Sequence, residues 1–150
     1  MSGTQKHTWQ DDWQAFVHVL AKLFATGTSI RQISAEIADR QVHWTGRVTG
    51  SQMRSKFAPG VTVDMPLVQV KLDDGRVFEG EHVGLTIKDA ASCRMCIDAK
   101  EYDEIEFCAR IQDTKWIRPP VEFVNATLQQ KVLLVPHLKE VKVVRRTVAR

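Results

Sequence analysis

The apolar residues of this chain change period near residue 42, and that change limits the fold more than any other feature. In VHWTGRVT, Val42, Trp44, Gly46 and Val48 fall on one face while His43, Thr45, Arg47 and Thr49 fall on the other, the two-residue period of a half-buried strand. Upstream, Trp9, Trp13, Phe16, Val17, Leu20, Leu23 and Phe24 recur at spacings of three and four, with Asp11, Asp12 and Gln14 opposite, which predicts an amphipathic helix. Asp11 and Asp12 suit its amino terminus, where unpaired amides and the helix dipole favour negative charge, and Gly27 ends it. Ile30, Ile33 and Ile37 predict a second helix closing near Arg40, and Ser29 with Gln32 has the spacing of a capping box.

Downstream, PLVQVKL and GRVFEGEHVGLTI flank Asp73, Asp74 and Gly75, a hairpin signal because an Asp-Gly turn matches the twist of its strands. Gly46 permits a sharp bend in the first strand, and Gly80 and Gly84 let the third coil strongly. Phe78 falls on the outer phase of that strand unless a bulge at Glu79 or Gly80 turns it inward. Residues 89–103 read as a short helix or an irregular connection. EIEFCARI alternates again, with Ile105, Phe107, Ala109 and Ile111 inward. A polar, Pro-containing connection with Trp116 then leads to KVLLVPHLKEVKVVRR, read as one closing strand.

This order predicts a mainly β, α+β chain: a helical extension over 1–40, then a small five-stranded barrel over 41–150, forming one compact domain. Over roughly residues 30–146 the pattern resembles the OB-fold superfamily in general, and more loosely tRNA-anticodon-like OB domains, in which a helix runs directly into a strand of the form HWTGRVTG. An SH3-like or split barrel fits the same strand order. A helix-turn-helix fits less well, because the chain passes straight from SIRQISAEIADR into a strand and that helix carries few groove-reading side chains.

The net charge is +3, and its distribution is more informative than its size. Positive charge collects over residues 41–64 and again over 113–150, where eight Lys and Arg face three Asp and Glu. The resemblance implies that the loop after the first strand and the connection between the fourth and fifth strands rim one mouth of an oligonucleotide surface. The first holds Arg54, Lys56 and Phe57; the second holds Lys115, Trp116 and Arg118; the strand faces between them add Arg47 and Lys71. Cations neutralise phosphate while rings stack on exposed bases, worth about 1–3 kcal/mol per base. The expected function is therefore a non-enzymatic module that binds single-stranded DNA or RNA. Glu104 and Glu106 project from the same outer sheet and oppose phosphate. The basic tail VKVVRRTVAR reads equally as a phosphate-contacting arm or as a basic closing strand.

Two other readings stay open. The stripe of Trp9, Trp13 and Phe16 on the first helix suits a protein partner or a homo-oligomer if its own barrel leaves it uncovered. Cys93 and Cys96 have a gap that lets two thiolates reach one zinc, with Cys108 or His82 as further ligands, but a second close-spaced pair is missing and ordinary thiols are the default. No phosphate-binding GxxxxGK[ST], GxSxG elbow, HExxH or dinucleotide fingerprint occurs, so neither an enzyme nor a cofactor is expected. An odd cysteine count, a polar amino terminus and the lack of any ~20-residue apolar run lead to the expectation of a cytoplasmic protein that does not enter membranes.

Overall fold

The structure is a computed structural model that describes residues 8–113, 120–126 and 131–149. Helix α1, Trp13–Ala25, follows a 3-10 turn over Trp9–Asp11, and its N-cap Asp12 accepts a hydrogen bond from Ala15 N at 3.2 Å. The helix stops before Gly27, whose φ of +83° no β-carbon tolerates easily. Helix α2, Ile30–Ile37, opens with the reciprocal capping box of Ser29 and Gln32. The chain continues as β1 Gln41–Ser51, β2 Gly60–Lys71, β3 Val77–Thr86, α3 Ala90–Cys96, β4 Glu104–Ile111, β5 Val121–Ala126, β6 Lys131–Pro136 and β7 Leu138–Thr147.

These strands form one mixed sheet in the order β5-β6-β3-β2-β1-β4-β7. All neighbours are antiparallel except β3 and β6, which run parallel with Phe78 opposite Val132 and Gly80 opposite Leu134. The hairpin turns at Asp73–Gly75 as its residues require: Gly75 has φ +91° and Leu72 N donates to Arg76 O at 2.8 Å.

Among the described residues seven strands, not five, make the sheet. The expected single closing strand divides at His137 into β6 and β7, which pair with opposite ends of the β3-β2-β1-β4 run. The additional strand β5 lies in what reads as a polar connection, although the alternation of Val121, Glu122 and Phe123 carries a strand signal.

A single apolar core draws on both the helices and the strands. Val42, Trp44 and Val48 of β1 and Ile105, Phe107, Ala109 and Ile111 of β4 all point into it, as their alternation predicts. Phe78 is also fully inside. The inward phase of β3 shifts after Gly80, from Phe78 and Gly80 to Val83, Leu85 and Ile87, opposite a register break in β2 between Asp64 and Val68. Gly46 serves close approach: a β-carbon there would sit 2.2 Å from Val63 Cγ1 and 2.7 Å from the Asp64 carbonyl.

Helix α1 closes the core. Trp13, Phe16, Val17 and Leu20 are buried on it, and Trp13 Nε1 donates to the Pro66 carbonyl at 2.9 Å. Gly80 admits the helix, since a β-carbon there would meet Val17 Cγ2 at 2.7 Å. No described helix is long and apolar enough to cross a membrane.

Candidate functional site

The loop over residues 52–59 is built to present its tip. Gln52 N donates to Gly60 O at 2.7 Å and Met53 is buried, which fixes the base. Ser55 Oγ then accepts from both Phe57 N and Ala58 N at 3.3 Å, a side-chain turn that holds the tip outward. Phe57 is 99% exposed, an unusual position for a phenyl ring. Arg54 and Lys56 beside it are exposed, and among the described residues neither has an ion-pair partner.

This loop borders a gap in the sheet. Strands β3 and β6 pair only from Val77 to Gly80, so among the described residues the later part of β3 has β2 as its one hydrogen-bonded strand partner. A cavity of about 400 Å³ opens there, lined by Gln52 and Ala58 of the loop, Gly84 and Thr86 of β3, and Gln112 and His137. His137 ties both ends of the next connector to this spot: its N–H donates to Pro120 O at 2.7 Å, and its carbonyl accepts from Gln112 N at 2.9 Å. The bases of both connectors singled out by sequence therefore meet at one groove. Lys115, Trp116 and Arg118 themselves lie outside the described residues. A second cavity, about 730 Å³, continues along β7 and shares Thr86, Gln112 and Leu138 with the first. It brings Lys88, just beyond β3, together with Lys139 and Lys142 of β7, a grouping that the sequence does not announce because only the β3–β7 approach unites the two segments.

The other candidates are dispersed. Arg47 is exposed on the outer face of β1, with Asp64 of β2 and Glu104 of β4 as its cross-strand neighbours, so two carboxylates offset its charge. Lys71 lies at the opposite end of β2 from the loop, about 35 Å away for a strand of this length.

Glu106 is engaged on the outer sheet: Arg145 donates to it at 2.8 Å and His43 approaches at 2.6 Å. The Arg145 guanidinium, then His43, holds its carboxyl below the usual value. Arg145 and Arg146 are both committed to ion pairs within β7 and its surroundings, which favours the closing-strand reading of the basic tail over the arm.

The stripe of α1 is covered by its own chain, with Trp13 at 5% and Phe16 at 0% exposure and the Trp9 ring 5.4 Å from Phe16. The cysteines do not converge with His82. Cys96 is buried in α3, where desolvation pushes its thiol up; Cys93 contacts the Ile87 carbonyl; Cys108 faces outward opposite His43; and His82 bonds Asp64 at 2.6 Å. Among the described residues no three His, Cys, Asp or Glu side chains are grouped to hold a metal. Neither a protein-family model, nor a curated protein, nor a solved structure matches the chain.

Proposed function

We propose that this chain is an OB-like barrel that binds single-stranded nucleic acid without catalysing a reaction on it. In this reading β6 and β7 act together as the fifth barrel strand, with β5 added outside and α3 between the third and fourth strands. The parallel pairing of β3 with β6 and the antiparallel pairing of β4 with β7 support it, and a partly open barrel of this type accommodates the gap beside β3. The observation that carries the function is Phe57, fully exposed beside two cations that have no carboxylate partner among the described residues, at the rim of a groove that also receives the base of the Trp116 connector. Phosphates neutralise Arg54 and Lys56 while a base stacks on the ring.

The test is fluorescence anisotropy with a labelled oligothymidylate of about 20 nucleotides, longer than the ~4–16 that one such barrel covers. Affinity is expected to fall steeply with salt. Replacing Arg54 and Lys56 with alanine removes two phosphate contacts, which lowers the slope of log affinity against log salt by about 1.4 and weakens binding about tenfold at physiological salt. Phe57→Ala is expected to weaken binding by about tenfold while leaving the slope unchanged, since stacking releases no counterion. Salt-independent affinity, or no binding by the wild-type protein at low salt, contradicts the proposal.

A further inference from the structure

We infer that the bound strand continues from the loop over 52–59 into the gap between β3 and β7, where Lys88 and Lys142 hold its phosphates; this rests on the nucleic-acid reading above. Among the described residues the gap is bounded and open along its middle. At one end β6 pairs with β3, and at the other Ser92 Oγ accepts the outward-facing Val143 N–H at 2.8 Å. Between these ends the two cavities form one continuous groove through Thr86, Gln112 and Leu138.

Charge selects the occupant. Lys88 and Lys142 are exposed on the lining of the larger cavity and have no ion-pair partner among the described residues. The remaining charged groups of that lining already have partners. Lys139 Nζ lies 2.7 Å from Asp39, and Glu140 pairs with Arg110 at 3.4 Å. Asp89 accepts from Ser92 N at 3.0 Å and Ser92 Oγ at 2.9 Å, bonds that hold its carboxyl below the usual value. The segments outside the described residues contain no Asp or Glu that could neutralise the two lysines. Lys142 attracts the Asp89 carboxylate without forming an ion pair with it, so the groove runs from one pair of cations without ion-pair partners among the described residues, Arg54 and Lys56, to a second, Lys88 and Lys142, and a flexible polyanion satisfies both.

The same oligothymidylate titration tests this with Lys88→Ala/Lys142→Ala beside a charge-matched control, Lys22→Ala/Lys100→Ala, whose lysines are exposed away from the groove. The groove pair is expected to weaken binding about tenfold at physiological salt and to lower the salt slope by about 1.4, with the control pair unchanged. Wild-type affinity and slope in the groove variant, alongside weakened Arg54→Ala/Lys56→Ala protein, would overturn the path while leaving the nucleic-acid reading in place. Equal losses in groove and control variants would also overturn it, since any surface cation would then serve. A wild-type protein that does not bind at low salt removes both proposals together.

Discussion

Phe16→Ala is expected to destabilise the fold by about 4 kcal/mol, in the middle of the range that truncating a buried aromatic costs. Phe16 is wholly buried, with the rings of Trp9, Trp13 and Trp44 at centroid distances of 5.4, 5.8 and 5.0 Å. Three large indoles cannot collapse together to fill the space, so a cavity persists and its cost adds to the lost transfer free energy. Urea unfolding measures this as a lower midpoint at an unchanged slope. The consequence reaches beyond one residue. Helix α1 is part of the core instead of an appendage to it, and removing the first helix is expected to prevent folding, not to release a stable barrel. A Phe16→Ala protein within 1 kcal/mol of wild type, taken as a rough threshold for a surface change, would contradict this.

Arg146→Met is expected to cost about 3 kcal/mol, because it leaves the Asp103 carboxylate buried without its counter-charge. Asp103 is 1% exposed and accepts from Lys100 N at 3.0 Å, Ala149 N at 3.0 Å and Arg146 Nε at 2.9 Å. The same guanidinium reaches Asp98 at 2.5 Å and the Met95 carbonyl at 3.0 Å, so it ties α3, the start of β4 and the end of β7 to one another. Burial on its own pushes the Asp103 carboxyl up, but the Ala149 and Lys100 amides and Arg146 together hold it below its ordinary 3.8. A carboxyl depressed in the folded state contributes stability that is complete above its unfolded value, about 3.9, and is lost as pH falls through the folded one. Thermal unfolding across pH should therefore show the deficit of the Arg146→Met protein in full near neutrality and narrowing in acid, first as Asp103 protonates in the variant and then as pH falls through its depressed value in the wild-type protein. A deficit that is constant with pH would assign the effect to lost packing of the arginine stem.

Local features of this fold are legible in the sequence. The Ser29–Gln32 box, the Asp-Gly turn and the alternation through Trp44 and Phe107 each depend on residues a few positions apart, and each appears as its spacing demands. Long-range features are not. Val132 to Val143 alternates almost without interruption, and only the parallel pairing with β3 on one side and the antiparallel pairing with β4 on the other reveals the division at His137. The direction of Phe78 depends on the phase change beyond Gly80, and Gly46 is required because a neighbouring strand carries Val63 and Met65 against it.

The candidate site divides in the same way. Arg54, Lys56 and Phe57 fall within four consecutive residues and are readable as a basic loop with a ring. Lys88 and Lys142 come from distant segments; Lys142 lies in the basic tail, but nothing in the chain pairs it with Lys88. Conversely, the run VKVVRR reads equally as a phosphate-contacting arm or a closing strand until Arg145 and Arg146 are seen to be held by Glu106, Asp98 and Asp103.

The central claim is that one groove beside β3 takes up a single strand, and amide chemical shifts of the isotopically labelled protein during titration with oligothymidylate at low salt test it most directly. Perturbations are predicted to cluster in the loop over 52–59, at Gly84 to Lys88, at Gln112 and from His137 to Lys142. Perturbations centred instead on His43, Glu106 and Arg145 of the outer β1–β4–β7 face, or none at saturating oligonucleotide, would contradict it.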